Sequence, residues 1–395
     1  MACAGPQRER RALPPLAPDS ERGWQALVEG DLAKAKAAFA GDDSARVFGR
    51  ITLASANGDD RSALVDSLDL LERQLSRPDD ARAALLAEAT AARLMSLVDG
   101  VVDPRSLEDR LLGLRVEGLP WRARLAVENA VDAIARRRGD SAILEARPAH
   151  AGCLTEVREV ARVGRLARLD LGRALESGQM HPGKGTDVRR SGCRLWLPPG
   201  PGWPGVRVLR AHLPPARVPR TLVFDHEGPA LVNVSPALAE GVPAKAETAQ
   251  IKPLSFTHES AEFYGPRARA VTLPPSMFGV TVEVRLGDFG GATELRLFAF
   301  PAVAEGEVEA DNAGVGDGAL MDLARLLSAE ATGETEVALA RAARLVGRRR
   351  FAPGLIAAAR VSAADPSRPA ALTRAEADGL LRRALAAAPG QPRAA

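Results

Sequence analysis

The residues best equipped for chemistry are three cysteines and five histidines, and their spacing commits them to very little. His150, His181, His212, His226 and His258 make no HxH or HExxH pair, so no single helix or strand offers two imidazoles to one metal ion. His150 stands three residues before Cys153, half of a metal-binding pattern without its second half. Cys153 and Cys193, with Cys3, are too few and too scattered for a disulfide framework. Pairing of Cys153 with Cys193 stays open, and the simplest expectation is two isolated thiols. Gly178-x4-Gly183-Lys184 has the glycines and lysine of a phosphate loop, but Gly185 stands where Ser or Thr would hold Mg²⁺. A helical pattern precedes it where a strand is needed, so a Gly-Lys linker is expected. Ser235 and Ser255 lack the G-x-S-x-G setting of an activated nucleophile. Asp225-His226-Glu227 lies among turn formers and is expected at a solvated hairpin tip. No nucleophile, base and orienting group can be named together. The sequence therefore predicts a protein that is not an enzyme, with no catalytic residue, metal or cofactor.

Composition narrows the partners. A chain of 395 residues is long enough for two or three domains, and 46% hydrophobic with 26% charged residues suits a packed globular protein. Lys and Arg total 53 against 50 Asp and Glu, a formal charge of only +3. Of those cations 48 are Arg and five are Lys, a skew that fits GC-rich codon usage better than a basic function. Arg136, Arg137 and Arg138, then Arg189 and Arg190, then Arg348, Arg349 and Arg350 form short clusters. Aromatics make up 4% and do not interleave with them, so bases have no stacking platform and no nucleic-acid partner is expected. Cations at helix carboxyl ends explain the clusters through the macrodipole. No apolar run reaches 18 residues, so no membrane span is expected.

The elements follow from periodicity. From about Ser20 to Gly178 the pattern is helical: Leu64, Leu68, Leu71 and Leu75 line one face, as do Val127, Val131 and Ile134 after Pro120. Asp79 and Asp80 are placed to cap a segment through Leu85, Leu86, Leu94 and Leu97 that stops at Gly100. Val157, Val160, Gly164, Leu171 and Leu175 extend the helical stripe. Prolines between Pro198 and Pro219 then exclude helices. Thr221–Phe224 and Ala230–Val234 are predicted strands, and Val280, Val282, Val284 and Leu286 alternate as a half-buried strand. Gly287 to Gly291 is expected to turn that strand into a hairpin with Leu295 and Leu297. The predicted organisation is a tail over 1–20, a helical-repeat domain over 21–178, a linker over 179–189, a β-sandwich over 190–304, a linker over 305–318 and a helical repeat region over 319–395.

Gly23, Trp24, Leu27, Gly30, Ala35 and Phe39 place small and large residues as in one helix-turn-helix, which resembles a tetratricopeptide repeat. Gly58, Asp59 and Ala63 repeat the Gly-Asp-x3-Ala element of Gly30, Asp31 and Ala35 after 28 residues. Ala377, Leu381, Ala384, Leu385 and Pro389 resemble the second helix of such a repeat and its closing proline. The fold class expected is thus multi-domain α and β: a tetratricopeptide-like array, a central antiparallel β-sandwich and a short carboxyl-terminal repeat region. At the amino terminus Ala2-Cys3-Ala4-Gly5 resembles the end of a bacterial lipobox, with Cys3 as the lipid attachment site. The basic and apolar segments of a signal peptide are missing, which places the chain as written in the cytoplasm. A start codon placed too late would make it periplasmic and membrane-anchored. The order of parts is similar to the non-catalytic amino-terminal portion of delta-proteobacterial lipoproteins that combine repeats, a β-sandwich and sometimes a transglutaminase-like domain.

What the resemblance implies is a non-enzymatic scaffold that binds other proteins or peptides through its repeats, peripheral to a membrane only if Cys3 is lipidated. An alternative is binding of carbohydrate or cell wall by the sandwich. Exposed aromatics could stack on sugar rings, and Trp196, Trp203, Phe263 and Tyr264 are the candidates for that contact. That alternative predicts at least two of the four exposed on one face, and is lost if all four are buried.

Overall fold

The computed structural model describes residues 13–75, 80–154, 156–163, 188–198, 205–226, 230–236, 254–258, 268–275, 279–288, 293–302, 314–365 and 367–389. The chain is a multi-domain protein of mixed α and β structure, with thirteen helices and two antiparallel sheets among the described residues. It divides into two compact units, Met1–Arg137 with Val303–Ala395, and Arg138–Ala302.

The first unit is helical. Its amino-terminal part holds α1 (Pro18–Glu29), α2 (Leu32–Ala38), α3 (Ser44–Ala56), α4 (Asp60–Leu75), α5 (Ala81–Ala91), α6 (Leu94–Gly100), α7 (Arg105–Leu112) and α8 (Trp121–Arg138). Aspartates start several of them: Asp31 accepts from Lys34 N, Asp43 from Arg46 N, and Asp80 from the backbone of Arg82 and Ala83. Each satisfies an amide that the first helical turn leaves without a partner. Leu64, Leu68 and Leu71 of α4 and Val127, Val131 and Ile134 of α8 are buried, as their spacing predicts. The stripe from Leu85 to Leu97 is shared by two helices, because the chain breaks at Ala92 and Arg93.

Packing between the first helices is centred on Trp24, which is fully buried. Its ring centroid lies 5.6 Å from that of Phe39, 5.9 Å from Phe48 and 6.4 Å from Phe351, and its indole N–H donates to Ala45 O at 3.0 Å. Small residues make the space: a Cβ on Gly23 would lie 2.5 Å from the Phe39 ring, and one on Gly49 2.6 Å from it. Leu27, Ala35 and Phe39 are fully buried, and Gly30 ends α1 at φ 83°.

The carboxyl-terminal helices were expected as a separate region, and instead they complete the same unit. They are α10 (Val315–Thr332), α11 (Thr335–Val346), α12 (Ala352–Ala363) and α13 (Ala370–Ala387), numbered after α9 (Ser141–Ala151) of the second unit. Glu21 accepts from the amides of Gly316 and Asp317 at 2.8 Å each, capping α10 from 295 and 296 residues away. Arg82 pairs with Asp317 at 2.9 Å, and Ser328 donates to Glu88 at 2.7 Å. A repeat signature describes contacts between neighbours in sequence and is silent on partners this distant. In α13, Ala377 and Ala384 are buried as expected, but Leu380 rather than Leu381 takes the inward position, and Leu385 and Pro389 are exposed.

The second unit holds α9 and ten strands: β1 (Val157–Val163), β2 (Arg189–Ser191), β3 (Arg194–Leu197), β4 (Gly205–Leu213), β5 (Arg220–His226), β6 (Ala230–Pro236), β7 (Leu254–His258), β8 (Ala268–Leu273), β9 (Val280–Asp288) and β10 (Thr293–Pro301). One sheet has the order β1-β4-β9-β6-β7 and the other β2-β3-β10-β5-β8. A single apolar cluster draws on both, from Leu209, Val232 and Val284 of the first to Leu197, Phe224 and Leu297 of the second.

Four expectations are corrected here. Val157 and Val160 belong to a strand, not a helix; β1 carries a register shift between Glu159 and Ala161, and one extra residue gives valines a helix-like spacing. Gly164, Leu171 and Leu175 lie outside the described residues. The proposed hairpin does not form: β9 and β10 lie in different sheets, as do β5 and β6. Crossing from one sheet to the other keeps the apolar side chains of both strands on the shared core, so alternation alone fits either connection. His226 is buried in β5, its Nδ1 2.9 Å from Glu294 O, and is no solvated tip. Cys153 and Cys193 are bonded to each other, with Cα atoms 5.5 Å apart, within the span a disulfide requires. Cys193 sits in the β2–β3 turn and Cys153 bridges Phe298 of β10, so sheet register brings them together across 40 residues of sequence.

Candidate functional site

In the helical unit a groove of 270 Å³ lies between α3, α10 and α12. Its apolar surface comes from Leu323 and Leu327 of α10 with Pro353, Ile356 and Ala357 of α12. The opposite wall is α3, where Thr52, Ser55 and Ala56 keep the side chains small. The Thr52 hydroxyl donates to Phe48 O at 2.8 Å and so adds no donor to the groove. Arg93 donates to Ser55 Oγ, and Arg360 holds Glu330 through two contacts of 2.5 Å. The lining thus combines apolar side chains of two helices with two arginines held by hydrogen bonds. It holds no acid–base pair.

A second cleft, of 370 Å³, has Asp42, Asp43 and Asp80 around Val47, Leu70 and Ala83. Its carboxylates already have structural work. Asp43 and Asp80 cap α3 and α5, and Asp42 lies 3.4 Å from Arg73. The most perturbed carboxyls lie in neither cleft. Burial pushes Glu88 above the ordinary glutamate range, against the opposing field of Arg122, and burial likewise raises Asp317 against Arg82. Both sit where α5 meets α10, holding helices together.

The sheet unit presents a different surface. Leu195 and Leu197 of β3 point into the core, so Arg194 and Trp196 stand on the outer face. Trp196 is 52% exposed. Its register neighbours are Arg189 on β2 and Glu294 on β10. Arg194 is ion-paired to Glu294, and Arg296 to Asp225 on β5. Of the four aromatics expected to meet glycan, Trp203, Phe263 and Tyr264 lie outside the described residues, as does Cys3.

Among the described residues no group of three or more His, Cys, Asp or Glu could hold a metal, and no helix is long and apolar enough to cross a membrane. His150 and His212 are exposed on α9 and β4, apart in sequence and element from buried His226. The glycine-lysine segment from Gly178 lies outside the described residues. Arginines of two clusters have carboxylate partners: Arg136 with Asp132, Arg137 with Asp99 and Glu108, and Arg348 with Asp322. Sequence reasoning missed the groove because α3 and α12 meet only through the folding back of the carboxyl-terminal helices.

No protein-family model and no curated protein matches the chain. Among solved structures, TmCBM61 in complex with β-1,4-galactotriose aligns with 38% of this chain and 91% of its own, at 10% identity and a TM-score of 0.19. A mutant hydroxyethylphosphonate dioxygenase aligns with 76% of this chain and 64% of its own, at 16% identity and a TM-score of 0.12. Likenesses at this level carry nothing about function.

Proposed function

We propose that the chain is a non-enzymatic scaffold, built on tetratricopeptide-like helices, that binds another protein through the groove between α3, α10 and α12. The observation that carries this reading is the groove itself: an apolar floor, a wall of small residues and charged side chains at the margin. Its 270 Å³ falls below the roughly 300–1,000 Å³ of small-molecule sites and suits one or two inserted side chains of a peptide segment. The close approach of Gly23 and Gly49 to Phe39 supports the tetratricopeptide-like description, since such repeats pack helices through small residues. We read the two sheets around one core as a β-sandwich inserted between the halves of this scaffold. The Cys153–Cys193 bond supports an envelope location, because disulfides persist where the surroundings are oxidising. A lipid on Cys3 would then tether the chain without any span.

The test is a photo-crosslinking side chain placed at Ile356, with exposed Val65 of α4 as control, in the full chain in its own cells. A discrete protein adduct at Ile356, absent at Val65 and lost when Ala357→Arg fills the groove, is the expected result. Equal labelling at both positions, or no adduct at Ile356, overturns the reading.

A further inference from the structure

Eight of the nine aromatic side chains among the described residues are buried, and the ninth is Trp196 at 52% exposure. A ring of that size gains most by leaving water, so one held in solvent on a rigid strand calls for an explanation. The strand is rigid because Leu195 and Leu197, on either side of Trp196, are anchored in the core at 1% and 0% exposure. The indole is therefore presented by the fold and is not a chance of a loose loop.

The charges around it are unequal. Arg194 with Glu294 and Arg296 with Asp225 form two neutral pairs on the same face. Arg189 is left over: it is exposed on β2 and has no hydrogen-bond or ion-pair partner among the described residues. The register sets Arg189 directly across from Trp196, and cross-strand neighbours have Cβ atoms about 4.5–5.5 Å apart. One flat apolar ring and one guanidinium without a carboxylate partner among the described residues thus stand side by side.

We propose that Trp196 and Arg189 form a binding subsite for a sugar ring that bears a carboxylate, as in an acidic polysaccharide. The C–H face of the pyranose lies on the indole, and the guanidinium fork of Arg189 takes the carboxylate through two parallel hydrogen bonds. Glu294, oriented by Arg194, stands on the other side of the indole and accepts from a ring hydroxyl. The cation selects acidic over neutral sugars. This subsite is independent of the helical groove, and neither requires the other.

The experiment uses the full chain and a panel of glucuronate, galacturonate and mannuronate oligosaccharides, each beside its carboxyl-reduced neutral counterpart. Titration calorimetry measures affinity, and tryptophan fluorescence checks that an indole is involved. At least one acidic member binds, and its reduced counterpart binds tenfold or more weakly. Trp196→Ala removes binding, Arg189→Ala weakens the acidic ligand at least tenfold and erases the preference, and Arg189→Lys restores part of it. Circular dichroism and retention of the disulfide show that each variant is folded. Failure of every acidic member to bind at millimolar concentration overturns the proposal, as does binding that survives Trp196→Ala. Equal affinity for acidic and reduced forms overturns the carboxylate assignment.

Discussion

In the helical unit the core is organised around one ring, Trp24, whose neighbours Phe39, Phe48 and Phe351 come from both ends of the chain. In the sheet unit the core is spread over leucines and valines of both sheets, with Phe224 its largest member. Both units bury charge, Arg82 against Asp317 and Glu88 under Ser328 in the helices, Arg207 and Glu159 in the sheets. The sheet unit adds a covalent bond between Cys153 and Cys193. The contrast teaches where each is vulnerable. A hub fails when its centre is removed, whereas a distributed core loses little to any one truncation and more to the loss of its clamp.

The sharpest way to break the contrast is Trp24→Ala, expected to cost the helical unit about 3–5 kcal/mol, as truncation of a buried tryptophan usually does. Hydrogen exchange read by mass spectrometry should show lost protection in 18–137 and 315–387 and unchanged protection in the sheets. Equal loss in both would mean that the units do not unfold separately. Replacing both Cys153 and Cys193 with serine should cost the sheet unit about 2–4 kcal/mol and spare the helices, read in the same way. An unchanged sheet unit would show that its distributed core needs no clamp.

The smallest effect concerns buried charge. Burial raises the Glu88 pKa in the folded protein above its ordinary 4.5, with Arg122 opposing. Its contribution to stability is therefore full below that unfolded value and is lost as pH rises through the folded one. Glu88→Gln keeps an acceptor for Ser328 and removes the titration. Denaturation midpoints of the helical unit should coincide for the two proteins in acid and favour the variant progressively as pH rises. Parallel curves across the range would exclude Glu88 as a source of the pH dependence.

Local features were legible in the sequence and long-range ones were not. The stripe of Leu64, Leu68 and Leu71, the Asp80 cap and the burial of Trp24 with Phe39 all follow from spacings within about fifteen residues. The assignment of β9 and β10 to opposite sheets could not be read, because both strands alternate identically whether they pair or face each other. The strand at Val157–Val163 was hidden by its own bulge. The disulfide and the groove depend on register and on folding back, which no local pattern encodes. Trp196 could be named as a candidate, but its pairing with Arg189 needed the β2–β3 register.

The cap that Glu21 places on α10 has a consequence for synthesis. Glu21 is made early and Gly316 comes 295 residues later. Between the end of α8 at Arg138 and the start of α10 at Val315 the ribosome adds about 180 residues, roughly 10–35 s of elongation. Throughout that interval Trp24 lacks Phe351 and Arg82 lacks Asp317. The sheet unit, continuous over 138–302 with both its cysteines inside it, is synthesised in full before α10 begins. The middle of the chain is thus free to fold first, and its two ends finish last, together.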